Sequence, residues 1–285
     1  MLIVHIFRIR LVAGKPKSNV IEGVDLTDTR LFAKLADEWW DPLGCSAALL
    51  AYNRIRVPFV VEGLIAVGTI PADRLNKPNA LEGIKVLDVG CGAGLMTESL
   101  GKLGAAEVIG LEPCEELVGA ARKHLKKSKL TNVKYICETI EKHIEKHSEQ
   151  YDVIIMSEVI EHVVNESKKP FIRSCVKALK PGGLIFITTL NKTIESLFGA
   201  KIVGEYFLNA IIPNSHEWHQ FISPEDVRNI LKDFSCTTQE IRGMQYQWWK
   251  NYSIWTWYKG ISFALYAVKD EVVDTDAETR KSHKK

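Results

Sequence analysis

Apolar residues between Lys85 and Leu190 gather in short unbroken runs, separated by stretches in which they recur every three or four positions. The runs at 86–90, 107–112, 133–138, 151–157 and 184–190 predict strands. The stretches between them have helical period. Strand and helix alternate in this way in a doubly wound α/β fold, a Rossmann-like parallel sheet that takes ligands at the carboxyl ends of its strands. Leu179-Lys180-Pro181-Gly182-Gly183 reads as a turn before the fifth strand. Candidates at 234–242 and 262–268 complete a seven-stranded sheet. Just ahead of the first of these a helix over 224–233 starts well, with Ser223 as N-cap and Pro224 at its first position.

Ahead of this domain (81–270), residues 23–80 carry two helical patterns. Leu31, Phe32, Leu35 and Trp39 share one face behind Asp28, and Trp39-Trp40-Asp41-Pro42 ends that helix. A second apolar stretch, Ala47 to Val67, is broken at Pro58. Both are expected to act as lid helices. The stretch 196–213 is mostly apolar but carries Lys201, Glu205 and Asn209 every four residues. That narrow polar stripe suits an inserted amphipathic helix lying in a membrane interface, and a core helix would show the same pattern. Residues 1–22 hold Arg8, Arg10, Lys15 and Lys17 before the first acid, Glu22, which is compatible with a targeting leader. The charged stretch 271–285 is expected to be disordered.

Composition narrows the partners. In 285 residues, 46% hydrophobic and 25% charged, the net charge is only +2, which argues for no nucleic-acid partner. Six scattered cysteines without a CxxC pair read as buried free thiols of a reducing compartment. No apolar run reaches the length of a membrane span.

The chemistry centres on Asp88-Val89-Gly90-Cys91-Gly92-Ala93-Gly94, where the first strand passes into a helix. Glycines let a ligand approach the backbone, and the helix N-terminus offers unpaired N–H groups. The Gly90-x-Gly92-x-Gly94 spacing differs from the G-x-G-x-x-G of pyrophosphate binders. Asp88 would repel a pyrophosphate but accept from a cationic ligand, and Glu112 at the end of the second strand suits ribose hydroxyls. Arg56 reads either as a surface charge or as a clamp for a ligand carboxylate. After the fourth strand, Glu158, Glu161 and His162 stand at i, i+3 and i+4, so one helical turn would project all three from one face. Such donors suit Mg²⁺ more than a structural zinc, and lining a pocket is the equal alternative. His143 and His147, four apart among charges, read as a solvated helix face.

Trp39-Trp40-Asp41, Asn53-x-x-Arg56, the Asp88–Gly94 loop, Ser157-Glu158-x-x-Glu161-His162, Thr189-Leu190-Asn191 and His216-x-Trp218-x-x-Phe221-Ile222-x-Pro224 occur together in this order. Over about residues 25–270 the chain resembles the ubiquinone-biosynthesis O-methyltransferases, class I enzymes that use S-adenosylmethionine (AdoMet). The resemblance implies AdoMet contacts at Arg56, Gly90, Glu112 and Ser157, to which the loop reading adds Asp88 and Gly92. It implies Mg²⁺ ligands at Glu158, Glu161 and His162. Two departures stand out: Glu112 replaces the commoner aspartate, and Arg54 follows Asn53 where proline or an acid is usual.

The implied reaction is in-line attack of a catechol-type hydroxyl on the AdoMet methyl, with Glu161 and His162 as catalytic candidates and His162 as base if no metal binds. His216 and His219 are weaker base candidates. The implied partners are a polyprenylated catechol or quinol, a membrane surface and other ubiquinone-biosynthesis proteins. In a eukaryote the implied place is the matrix side of the mitochondrial inner membrane, held peripherally. Trp248, Trp249, Trp255 and Trp257 read as an interfacial belt or as the mouth of the pocket. An NAD-linked enzyme, a metal-independent small-molecule methyltransferase and a non-catalytic scaffold subunit are the competing readings.

Overall fold

A computed structural model of the chain describes residues 20–21, 24–25, 39–42, 44, 46–193, 195–196 and 218–271. The expected first lid helix, the amphipathic insertion beyond Ser196, His216, almost all of the leader and the tail beyond Glu271 lie outside the described residues.

Eight strands form one sheet: β1 (Lys85–Val89), β2 (Glu107–Leu111), β3 (Val133–Ile136), β4 (Tyr151–Ser157), β5 (Leu179–Leu190), β6 (Cys236–Gln247), β7 (Tyr252–Thr256) and β8 (Ser262–Lys269). Their order is β3-β2-β1-β4-β5-β8-β6-β7. β1 to β5 are parallel, and β8 lies antiparallel between β5 and β6. β6 therefore runs in the direction of β5, and its end at Gln247 emerges on the same side as the ends of β1, β2, β4 and β5.

The helices are α1 (Ala47–Ala66), α2 (Leu95–Gly101), α3 (Glu115–Ser128), α4 (Ile140–His143), α5 (Asn165–Ala178) and α6 (Pro224–Asp233). They cover both faces. Val86, Val153 and Phe186 point to one core with Phe59 and Leu64 of α1, Leu100 of α2 and Val118 of α3. Their neighbours Leu87, Ile154 and Ile185 point to the other, with Ile172 of α5 and Leu231 of α6. Alternation across the pleat explains why the central strands β4 and β5 read as long apolar runs.

The doubly wound fold and the 224–233 helix stand as expected, and Ser223 accepts a 3.1 Å hydrogen bond from the Asp226 N–H as its cap. Four expectations need correction. First, the sheet gains an eighth strand, β7, because Tyr252–Thr256 pairs with the outer edge of the long β6. Second, α1 is not broken at Pro58. Pro58 and Arg54 are both exposed, so the carbonyl that loses its i+4 partner faces water. Third, Leu179–Gly183 belongs to β5 rather than to a turn, with an irregularity in its pairing to β4 and Gly182 at φ +74°. Fourth, His143 is not solvated: it is buried, Glu138 lies 2.6 Å from its Nδ1, and the Tyr151 hydroxyl lies 2.7 Å from its Nε2.

Candidate active site

β1 ends in a loop that only glycine can follow at two points. Gly90 has φ +72° and Gly94 φ +88°, the left-handed region that side chains disfavour. A Cβ on Gly90 would also come within 2.6 Å of the Val159 side chain, and one on Gly94 would strike the Tyr135 hydroxyl. The loop is tied to β2 by the main chain: the N–H groups of Gly90 and Cys91 both donate to the Leu111 carbonyl, at 2.8 and 2.9 Å.

Asp88 lies beneath this loop, 1% exposed, and accepts a 2.6 Å bond from the Thr97 hydroxyl in the first turn of α2. Burial raises its carboxyl to about 6, with Thr97 and Arg56 pulling the other way. Glu112 follows β2 and is also buried. The Gly92 N–H donates to its Oε2 at 3.1 Å and the Cys114 N–H to its Oε1 at 3.0 Å. Desolvation raises Glu112 to about 7 despite these two bonds. Trp39 and Trp40 reach the same loop from the N-terminal segment. A Cβ on Gly92 would lie 3.1 Å from the Trp39 ring, and Trp40 Nε1 donates to the Ala93 carbonyl at 3.0 Å. The Trp40 ring stacks on His124 with centroids 3.4 Å apart.

The acidic turn after β4 is not helical. Ser157 is the last residue of β4, in register with Thr188 of β5. Glu158 takes φ +55°, and Ile160–His162 form a single 3₁₀ turn. A left-handed non-glycine residue at a strand end is a strained conformation that needs support from its surroundings. The Glu158 N–H bonds the Thr188 carbonyl at 2.9 Å, and its Oε1 accepts from the Thr188 hydroxyl at 2.8 Å. Arg56 approaches the same oxygen, 3.4 Å from Nη1. The rest of the Arg56 fork is held by Asn53 Oδ1 at 2.7 Å and by the Leu49 carbonyl at 3.2 Å. Arg56 is therefore a buried cation shared among acids rather than a surface charge. Desolvation lowers its ordinary value, and Glu158, Asp88 and Glu161 oppose that.

Glu161 is buried, and its Oε2 accepts from Thr189 at 2.8 Å. Desolvation and the neighbouring Glu158 charge raise it to about 7, while His162 lowers it. His162 is half-buried on the same turn. Glu158, Glu161 and His162 thus lie within electrostatic reach of one another, as the spacing suggested, but through a strand end and a 3₁₀ turn. Glu158 faces Arg56 and Thr188, and Glu161 faces Thr189. As placed, no three acids, histidines or cysteines among the described residues form a chelating group. His219 is exposed in the 3₁₀ turn Trp218–Gln220, and its carbonyl accepts from the Asn165 side-chain amide.

Spacing missed four residues of this site. Thr97, Thr188 and Thr189 fasten three of its acids. The Thr188-Thr189 pair closing an apolar strand was a usable signal. Lys168 of α5 gave none, standing in a charged run. Its amine is buried and donates to the carbonyls of Ile160 at 2.8 Å and Val163 at 2.5 Å, bracing the turn that carries Glu161 and His162. Desolvation lowers it to about 8.

Residues 87–187 match the family model described as a methyltransferase domain. The mitochondrial ubiquinone biosynthesis O-methyltransferase of Homo sapiens is 37% identical over 256 residues, 89% of this chain and 68% of that protein. The ubiquinone biosynthesis O-methyltransferase of Caulobacter vibrioides is 37% identical over 225 residues, 79% of this chain and 86% of that protein. Among solved structures, magnesium protoporphyrin IX methyltransferase from Synechocystis with bound SAH matches with a TM-score of 0.58 over 86% of this chain and 97% of that one. At 20% identity that likeness is one of fold. Sheet order, glycine loop and these relatives agree: the chain belongs to the ubiquinone biosynthesis O-methyltransferase family of AdoMet-dependent enzymes.

Proposed function

We propose that the site binds AdoMet across the Gly90–Gly94 loop and transfers its methyl to a hydroxyl of a polyprenylated catechol or quinol, assisted by Mg²⁺. One observation carries this reading. Asp88, Glu112 and Glu161 are three buried carboxylates raised to about 6, 7 and 7, and Arg56 is the buried guanidinium among them. A pocket with an excess of desolvated acid favours a cationic ligand, because the ligand's charge offsets their burial. AdoMet brings a sulfonium and an ammonium group.

In this reading the Gly92 backbone and Glu112 face the ribose, and Asp88 acts through Thr97 to hold the loop in shape. Arg56 and Ser157 border the methionine end. AdoMet supplies an already activated methyl group, so the residues serve chiefly to align the hydroxyl and remove its proton. The donor chemistry of Glu158, Glu161 and His162 fits a hard divalent ion, although Glu158 would have to exchange Arg56 for it. Mg²⁺ held there would acidify and orient the catechol oxygens. Without it, His162 would take the proton in this reading.

Mitochondrial and bacterial relatives alike leave the compartment open to proposal. In a eukaryote we propose association with the matrix face of the inner membrane, a reading that a polyprenylated substrate supports; no helix among the described residues is long and apolar enough to cross a membrane.

Methyl transfer to a short-tailed catechol, with and without chelator, tests the proposal. Activity that disappears with chelator and returns with Mg²⁺ supports the metal. Substantial activity in Glu161→Gln, indifferent to chelator, removes the metal and leaves His162 as base. Unchanged AdoMet affinity in Glu112→Ala removes that residue from the nucleoside site.

A further inference from the structure

Glu98 is fully buried in the first turn of α2, where its N–H bonds the Gly94 carbonyl at 3.0 Å. Its Oε1 lies 2.9 Å from Nδ1 of His124 on α3, and its Oε2 has no hydrogen-bond partner among the described residues. A carboxylate taken out of water for a single partner costs stability, so packing alone does not explain an acid at this position. What it does is fix a ring, because an imidazole bonded to a carboxylate through Nδ1 is held in one orientation. The His124 ring lies flat against Trp40, with centroids 3.4 Å apart and planes 2° from parallel.

Trp40 carries this order to the glycine loop. Its Nε1 donates to the Ala93 carbonyl at 3.0 Å, while the Gly92 N–H donates to Glu112. The Gly92–Ala93 backbone is thus held by two side chains, one from the N-terminal segment and one from the end of β2. Trp39 covers Gly92 beside it, where a Cβ would sit 3.1 Å from the ring. Two main-chain bonds tie this segment to the start of α1, the helix of Arg56: the Gly44 N–H donates to the Asp41 carbonyl at 3.0 Å, and the Ala47 N–H to the Gly44 carbonyl at 3.1 Å. Glu98, His124 and Trp40 therefore join α2, α3 and the entry to α1 around one loop.

We propose that Glu98, His124 and Trp40 form a clasp that holds the N-terminal segment closed on the glycine loop and thereby sets how tightly AdoMet is bound. The three are positioning residues: they act on the ligand through the Gly92–Ala93 backbone and through α1, not on the methyl group. One stack and one hydrogen bond can open and re-form, which suits a cover that must release S-adenosylhomocysteine after each turnover. The inference rests on the reading that AdoMet lies across the Gly90–Gly94 loop.

Calorimetry of AdoMet binding, beside steady-state methyl transfer to a short-tailed catechol, tests it. Trp40→Leu removes ring and donor together, and should weaken AdoMet affinity and raise its KM by roughly tenfold, with kcat at saturating AdoMet kept within about twofold. His124→Gln keeps a donor for Glu98 but offers no flat ring, and should show a similar loss. The double variant should bind within about twofold of either single one, because both break the same clasp. Trp40→Phe restores a ring without the bond to Ala93, and should leave a loss of about threefold. Additive losses, or a fall in kcat at unchanged KM, overturn the clasp. So does unaltered affinity in Trp40→Phe, the variant that decides should Trp40→Leu fail to fold. Gly90→Ala separates the clasp from the reading beneath it. Weakened binding there beside unaffected Trp40 and His124 variants overturns the clasp alone, whereas unaffected binding in Gly90→Ala overturns the loop reading and the clasp with it.

Discussion

The glycine loop after β1 and the acidic turn after β4 leave neighbouring strands of one parallel sheet, yet they are held in different ways. The loop is fastened mainly through the main chain, by Leu111 accepting from Gly90 and Cys91 and by Glu112 accepting from Gly92 and Cys114. The turn depends on side chains from three other elements: Arg56 of α1, Thr188 and Thr189 of β5, and Lys168 of α5. A main-chain site needs little beyond glycine at a few positions. A side-chain site needs the whole fold assembled first. In the proposed reading this contrast is useful: the constant part of the reaction, the nucleoside, would meet a stiff backbone cradle, and the acceptor end would meet replaceable side chains.

Removing the shared cation should have the largest effect. Arg56→Met leaves Glu158 without its ion-pair partner beside buried Asp88 and Glu161, so the protein should lose about 3–5 kcal/mol of stability. Denaturant unfolding measures it. Arg56→Lys should recover little, because a lysine cannot reproduce the fork shared by Asn53, Leu49 and Glu158. Unaltered stability in Arg56→Met would mean the turn does not rely on α1.

Gly90→Ala attacks the other wall. It forces a side chain into a left-handed backbone and against Val159, and should weaken AdoMet affinity by about 2–3 kcal/mol, read by calorimetry. Lys168→Met tests the turn without touching the loop. Losing two buried charged hydrogen bonds should cost about 2 kcal/mol and depress methyl transfer while AdoMet affinity holds. If affinity fell along with activity, the two walls would be coupled and the contrast between them would fail.

The smallest expected effect concerns pH. Burial raises Glu112 from 4.5 to about 7 in the folded protein. A raised carboxyl favours the folded state most below its unfolded value, and that contribution is lost as pH rises through the folded one. Between about pH 5.5 and about pH 7.5 the ligand-free protein should therefore lose roughly 1–2 kcal/mol from this group. Glu112→Gln should flatten that part of the profile, and matching melting curves for the two proteins across that range would exclude an ionisable Glu112 buried as described.

Apolar runs located β1, β2, β4 and β5 because helices cover both of their faces, the shorter edge strand β3 followed from its alternation, and the relation of Asp88, Gly90, Gly94 and Glu112 is local to one β-turn-α-β unit. That part was legible from the residues alone. The eighth strand was not, because Tyr252–Thr256 becomes a strand only once β6 is seated on β8 and presents its opposite edge for pairing. Pro58 was misleading for a related reason: whether a proline breaks a helix depends on which way the orphaned carbonyl faces, and only packing decides that.

His143 likewise lay among charges in the sequence and proved buried, because Glu138 and Tyr151 come to it from β3's far end and β4's start. The residues that brace the acidic turn come from positions 56, 168, 188 and 189, and no spacing rule links them. Sequence by itself determined the parallel part of the sheet, the glycine loop and the identity of the acids, since backbone sterics and burial act over a few residues. Tertiary structure alone decided that Glu158 is strained, that Arg56 serves several acids at once, and that a lysine of α5 holds the turn. Charge pairing in a dry site acts between groups that the chain brings together only after it has folded.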